Sequence, residues 1–119
     1  MMSPTPGVMI FDIDGTICDS TKFAHFLSTK PKNYDAFWVG IPFYEPMPLL
    51  QIVGECIGSE LTHVVFSTAR DELTRNDTLE WLGRHLKRPV ASENLYMRGS
   101  LDYRKDFVLK RDLLASILS

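Results

Sequence analysis

Two aspartates directly after a short apolar run restrict the possible folds of this chain more than any other feature. The stretch "VMIFDIDGT", residues 8–16, places Asp12 and Asp14 two positions apart, immediately before Gly15. Four consecutive apolar residues are typical of a strand buried on both faces of a parallel sheet, and ligands bind at the carboxyl ends of such strands. Two close carboxylates repel each other, so the pair indicates a bound cation, or a nucleophile beside a general acid/base.

The length and composition limit the class of protein. The 119 residues, 45% of them hydrophobic, predict one domain spanning residues 1–119. No apolar stretch reaches the roughly 20 residues of a membrane span, and "MMSPTPG" lacks the features of a signal peptide. We therefore expect a cytoplasmic protein without a membrane partner, in which Cys18 and Cys56 are free thiols.

The charge is unevenly distributed along the chain. Its net value of −2 argues against a general nucleic-acid coat. Residues 1–60 carry three Lys or Arg and seven Asp or Glu, whereas residues 61–119 carry ten and eight. The excess of positive charge in the second part could form a local anion site, or it could be the solvated surface of helices.

Short apolar runs alternate with amphipathic segments along the chain. We predict strands at residues 8–11, 63–66 and 94–97, and helices at residues 46–58, 73–86 and 105–118. This order predicts an α/β fold with a Rossmann-like parallel sheet. Residues 20–45 hold seven of the chain's 13 aromatic residues. They predict a small cap-like insert that packs on the sheet or stacks on a nucleobase.

The stretch "FDIDGT" resembles the first motif of the haloacid dehalogenase-like phosphohydrolases. The resemblance implies that Asp12 is the nucleophile that attacks phosphorus and that Asp14 is the general acid/base. It also implies Mg²⁺ as cofactor, bound by the Asp12 carboxylate and the Asp14 backbone carbonyl. In "FSTAR", residues 66–70, Thr68 matches the second motif of the family, which binds the transferring phosphoryl group.

Two longer stretches resemble one branch of this family. "STARDELTRNDTLEWL" and "LYMRGSLDYRKDFVLKRDLL" are similar to the 3′-phosphatase domain of phage polynucleotide kinases and to related small phage phosphatases. By this resemblance Lys110 is the catalytic lysine and Asp106, one turn earlier, is the acidic residue that positions it at the substrate site. Arg70, Arg98 and Arg104 become candidates for binding the substrate phosphate or backbone.

The resemblance implies a Mg²⁺-dependent phosphomonoester hydrolase that works through an aspartyl-phosphate. We expect a polynucleotide 3′-phosphatase, with a nucleic-acid end or a nucleotide as substrate, in the cytoplasm of a bacterial host if phage-encoded. The family's fourth acidic motif is not found before Ser119. A phosphate- or nucleic-acid-end-binding module with impaired catalysis therefore stays open, as does a small-nucleotide phosphatase.

The same absence bears on the predicted sheet. In this family the strand that carries the fourth motif pairs beside the first strand, so we expect the C-terminally short sheet to leave residues 8–11 at an open edge. Proteins avoid such edges because they recruit other strands. We therefore expect a homo-oligomer or a partner to cover it, since the prolines of "MMSPTPG" make that segment a poor strand.

Overall fold

The computed structural model describes residues 7–59 and 62–119 and contains five strands and four α-helices in these ranges. In chain order these are β1 (Gly7–Phe11), β2 (Cys18–Asp19), α1 (Tyr34–Val39), β3 (Glu45–Pro46), α2 (Leu49–Ile57), β4 (Thr62–Asp71), α3 (Arg75–Leu86), β5 (Leu95–Arg98) and α4 (Asp106–Leu118). Short 3₁₀ helices cover Thr21–Leu27, Ile41–Phe43, Glu72–Thr74 and Ser92–Asn94.

Three parallel strands form the main sheet, in the order β1-β4-β5. The register pairs Gly7 with Thr62 at one end of β1 and Phe11 with Phe66 at the other. The helices α2 and α3 lie in the connections between these strands along the chain, and β2 and β3 form a separate antiparallel pair. The predicted α/β class with a Rossmann-like parallel sheet is confirmed.

Two element boundaries differ from the prediction by three residues or more. The second main strand does not end at Phe66 but continues to Asp71, where it pairs with Arg98 of β5 after a register shift. The helix predicted from residue 46 begins only at Leu49, because Pro46 pairs with Cys18 in the β2–β3 pair. A proline has no backbone N–H, which suits Pro46 to such a short edge pairing.

The core joins the sheet to the helices. Its members are the buried side chains Ile13, Ile17, Cys18, Phe37, Ile41, Tyr44, Leu50, Val53, Val64, Phe66, Trp81, Leu82, Leu86, Leu95 and Met97. Residues 20–45 take part in it, since Tyr44 donates a hydrogen bond to the Phe37 carbonyl and Trp81 Nε1 donates one to the Tyr44 carbonyl at 2.9 Å. From α4, Leu109 is buried. Both cysteines are free thiols.

The strand β1 lies at one side of the main sheet. Within the described ranges it pairs with β4 alone, and its residues Val8 and Met9 are 48% and 39% exposed. Of "MMSPTPG", residues 1–6 lie outside the described part of the chain, so the prediction that this segment does not cover the edge stays a prediction. No helix in the described ranges is long and apolar enough to cross a membrane.

Candidate functional site

The two aspartates lie at the carboxyl end of β1. The last residue of that strand is Phe11, so Asp12 and Asp14 follow it directly at the edge of the sheet. Both aspartates are partly exposed, whereas Ile13 between them is fully buried in the core. Because successive side chains of an extended chain point to opposite sides, burial of Ile13 leaves the two carboxylates outside the core.

A tight turn follows the aspartates. Gly15 has φ +79°, a conformation that side chains bearing a Cβ rarely adopt. Its N–H donates to the Cys18 carbonyl at 2.9 Å, and the Cys18 N–H donates to the Ile13 carbonyl at 3.1 Å. The turn therefore fixes the backbone on both sides of Asp14.

The helix α4 brings a lysine to the first aspartate. Lys110 Nζ lies 2.8 Å from Asp12 Oδ2, and the Ile13 N–H donates to Asp12 Oδ1 at 2.8 Å. The predicted nucleophile and the predicted catalytic lysine are thus in direct contact. An ammonium group here can offset the negative charge of a phosphoryl group that approaches Asp12.

A buried arginine holds the second aspartate. Arg70 Nε donates to Asp14 Oδ2 at 2.9 Å and Arg70 Nη2 donates to Asp14 Oδ1 at 2.7 Å, a bidentate ion pair. Arg70 is only 4% exposed. Its Nη1 donates to Thr78 Oγ1 at 3.1 Å, and its Nη2 also lies 3.4 Å from Cys18 Sγ. Each of the three guanidinium nitrogens therefore has a hydrogen-bond partner within the protein.

The surroundings favour the charged form of Arg70. Burial lowers the pKa of Arg70, but the hydrogen bonds and the charge of Asp14 more than offset this, so its pKa lies above its ordinary value. The Tyr44 ring adds a favourable contact, with its centroid 5.5 Å from the guanidinium carbon. Burial raises the pKa of the neighbouring Cys18 thiol to about 12, so Cys18 is neutral at physiological pH.

Thr68 is buried on β4 close to these groups. The β1–β4 register pairs Phe11 with Phe66, so Thr68, two residues further on, reaches the same edge as Asp12. Its Oγ1 accepts the Arg70 N–H at 3.2 Å. Within the described ranges its hydroxyl accepts this bond and donates none. The hydroxyl hydrogen is available for a ligand oxygen at this edge.

The remaining predicted site residues form ion pairs within the protein. Arg98 Nη2 donates to Asp106 Oδ1 at 2.6 Å, and Arg104 pairs with the carboxylates of Asp102 and Asp112. The side-chain hydrogen bond from Arg104 lowers the pKa of Asp102 to about 2. In the described ranges the Asp106 side chain pairs with Arg98 and the Lys110 side chain pairs with Asp12, so no side-chain ion pair supports the prediction that Asp106 positions the lysine. Substrate binding by Arg98, Arg104 and Asp106 stays a prediction.

The donor set suits a hard cation. Mg²⁺ is commonly bound by one or two carboxylates, with water and substrate phosphate completing its coordination. Asp12 supplies a partly exposed carboxylate, and the Asp14 backbone carbonyl accepts no hydrogen bond from residues 7–59 or 62–119. Within those ranges no group of three or more His, Cys, Asp or Glu side chains could hold a metal ion. The residues present fit a Mg²⁺ ion that shares its coordination with substrate.

Sequence reasoning did not anticipate the groups around Arg70. Thr78, Cys18 and Tyr44 complete its environment, and none belongs to a recognised motif. One signal was present in the sequence: Thr74 and Thr78 are four residues apart, and both are buried. Two buried threonines, one just before a helix and one in its first turn, indicate a polar group that needs partners in the core.

A parallel sheet whose first strand ends in paired aspartates, with a threonine on the next strand and a lysine on the last helix, defines a haloacid dehalogenase-like protein. The sequence model of one family, described as "Polynucleotide kinase PNKP phosphatase domain", matches residues 6–119. The chain belongs to this family, which supports a phosphatase of the haloacid dehalogenase superfamily. No curated protein matches the sequence.

Proposed function

We propose that the chain is a Mg²⁺-dependent phosphomonoesterase that removes a 3′-phosphate from the end of a nucleic acid through an aspartyl-phosphate on Asp12. The observation that carries the proposal is the 2.8 Å contact between Lys110 Nζ and Asp12 Oδ2 at the carboxyl edge of the sheet, beside Asp14. A nucleophile for phosphorus needs such a cation, since the approaching phosphate repels a carboxylate.

The reaction takes place in two displacements. In the first, an Asp12 carboxylate oxygen bonds to phosphorus while the bond to the substrate oxygen breaks, and protonated Asp14 gives its proton to that leaving oxygen. In the second, Asp14 takes a proton from water, and the water oxygen bonds to the same phosphorus. The bond between phosphorus and Asp12 breaks, inorganic phosphate leaves, and the Asp12 carboxylate is restored.

Other side chains hold the reacting groups in place. The Lys110 ammonium and the Thr68 hydroxyl bind phosphoryl oxygens, and the Arg70 guanidinium orients the Asp14 carboxylate through its bidentate ion pair. The Asp12 carboxylate and the Asp14 carbonyl would hold Mg²⁺, which supplies positive charge to the phosphoryl oxygens when bound. This division of roles assigns Arg70 to Asp14 rather than to substrate.

The nucleic-acid substrate is supported by the family match over residues 6–119. Two alternatives differ from it in measurable ways. A small-nucleotide phosphatase would prefer a mononucleotide to an oligonucleotide, and a binding module would hold the phosphorylated end without releasing phosphate.

The test is release of inorganic phosphate by the 119-residue chain from a 3′-phosphorylated oligonucleotide and from a nucleoside 3′-monophosphate, with Mg²⁺ or with EDTA. We expect release from the oligonucleotide that requires Mg²⁺ and disappears in Asp12→Asn. The control is Asp35→Asn, which removes an aspartate from the first turn of α1 and should leave the rate unchanged. Undiminished turnover by Asp12→Asn would refute the mechanism, and a preference for the mononucleotide would refute the substrate.

A further inference from the structure

An exposed apolar surface follows the last strand of the main sheet. Leu101, Tyr103 and Phe107 are 84%, 86% and 71% exposed, and all three lie between the end of β5 and Lys110. Neither aromatic ring contacts another ring in the described part of the chain. Three large side chains exposed within one short stretch of chain are more typical of a binding surface than single scattered ones are.

The loop that carries Tyr103 is firmly anchored. Arg98 Nη1 donates to the carbonyls of Asp102 and Arg104, at 2.9 and 2.6 Å, and these two residues flank Tyr103 in the chain. Arg98 Nε also donates to the Ala69 carbonyl of β4 at 3.1 Å. The tyrosine is therefore held at a defined place beside the sheet, which lowers the entropy lost when a ligand binds it.

Phe107 is linked to the candidate site through α4. It lies three residues before Lys110 in this helix, so the two side chains share a helix face and are separated by about 4.5 Å along the axis. Lys110 in turn contacts Asp12. A ligand whose phosphate lies at Asp12 and Lys110 can therefore reach the Phe107 ring with its adjacent part.

Charge favours an anionic ligand here. Lys105 immediately precedes α4, and among residues 7–59 and 62–119 no carboxylate forms an ion pair with it. Two aromatic rings beside unpaired positive charge match the chemistry of single-stranded nucleic acid, whose bases stack on rings while its backbone attracts cations. An apolar protein partner would not account for the positive charge of Lys105 beside these rings.

We propose that Tyr103 and Phe107 form a stacking site for the terminal bases of a single-stranded nucleic acid whose 3′-phosphate lies at Asp12. The inference rests on the proposed function and deepens it, because it assigns the part of the substrate next to the phosphate. It also assigns single-stranded rather than duplex ends, since a duplex offers a free face only at its outermost base pair, whereas a single strand can offer one base to each ring.

The first test compares a 3′-phosphorylated oligonucleotide with one of equal length that lacks its two terminal bases. For Phe107→Ala and Tyr103→Ala we expect KM for the intact oligonucleotide to rise about 5- to 150-fold with kcat little changed, the range that follows from the energy of base stacking. Phe107→Trp should retain the wild-type KM. The control Ile52→Ala removes an exposed apolar side chain of α2, outside this surface. Wild type should bind the oligonucleotide without terminal bases no better than the alanine variants bind the intact oligonucleotide.

The second test measures binding without turnover, by fluorescence anisotropy of the labelled oligonucleotide with Asp12→Asn protein. A loss of affinity when Phe107→Ala is added to Asp12→Asn supports the stacking site. If that loss is seen but wild type releases phosphate from no substrate, only the proposed function fails. The stacking site is overturned if neither the rate of hydrolysis nor the affinity changes when the terminal bases are removed or when either alanine substitution is made. The proposed function would still stand. A shift of sedimentation coefficient in Phe107→Ala also overturns it, because the surface would then join copies of the chain.

Discussion

The two aspartates of the site differ in what holds them. Asp12 meets Lys110, whose ammonium is partly exposed and can turn to water if its partner is lost. Asp14 meets Arg70, whose guanidinium is buried among Thr78, Cys18 and the Tyr44 ring. A buried charge without its partner costs much more free energy than an exposed one. The aspartates should therefore be equally important for chemistry but unequal for stability.

We predict that Asp14→Asn lowers the free energy of unfolding by roughly 2–3 kcal/mol, less than for a fully buried pair because Asp14 is partly exposed. Asp12→Asn should change it by less than about 1 kcal/mol, since both members of its ion pair are partly exposed. Urea unfolding of the two variants beside wild type measures both values. Equal unfolding midpoints for the two variants would contradict this account of Arg70.

The limits of sequence reasoning are visible at these same residues. Asp12, Asp14 and Thr68 could be placed at one edge because each follows a recognisable apolar run, and parallel strands bring their carboxyl ends together. The partner of Arg70 could not be predicted in this way. Because Arg70 lies two residues after Thr68, the sequence suggested that Arg70 contacts the substrate phosphate. Only the packing of β1 beside β4 shows that Arg70 reaches Asp14.

At the scale of elements, tertiary pairing decides where strands and helices begin and end. The apolar run that predicted β4 stops at Phe66, yet the strand continues through polar residues because β5 pairs with it as far as Asp71. Similarly, Pro46 belongs to β3 rather than to α2 because Cys18 is its partner. The order of elements was predictable from periodicity, whereas these boundaries depend on strand partners that are distant in sequence.

Within the described ranges, two side-chain hydrogen bonds join residues 20–45 to α3, and the one from Arg84 Nη2 to the Pro42 carbonyl is exposed. Trp81 Nε1 donates to the Tyr44 carbonyl at 2.9 Å, and Trp81 is fully buried. We predict that Trp81→Phe lowers the free energy of unfolding by about 1–3 kcal/mol, because the buried carbonyl loses its donor. The matched control is Trp38→Phe, since Trp38 is less buried and makes no such bond within the described ranges. Urea unfolding measures both variants, and an equal loss in the two would show that ring volume alone matters.

At the scale of the whole molecule, the site stands at the end of an edge strand. In the described ranges β1 pairs only with β4, so its other side presents unpaired backbone N–H and C=O groups together with the exposed side chains of Val8 and Met9. An exposed apolar edge strand is a template for pairing with another strand. Asp12 follows this strand directly, so anything that pairs with β1 lies next to the proposed nucleophile.

This arrangement predicts that copies of the chain associate through β1. Sedimentation at micromolar concentrations should show an average mass that rises with concentration, and Val8→Lys should weaken the association because a charge would then lie on the pairing edge. Val39→Lys is the matched control, since Val39 is exposed on α1 away from the sheet. Association through this edge should also change the apparent affinity for Mg²⁺, because it constrains the backbone that leads into Asp12. A wild-type chain that stays monomeric over the whole concentration range would contradict the prediction, and equal effects of the two lysines would place the contact elsewhere.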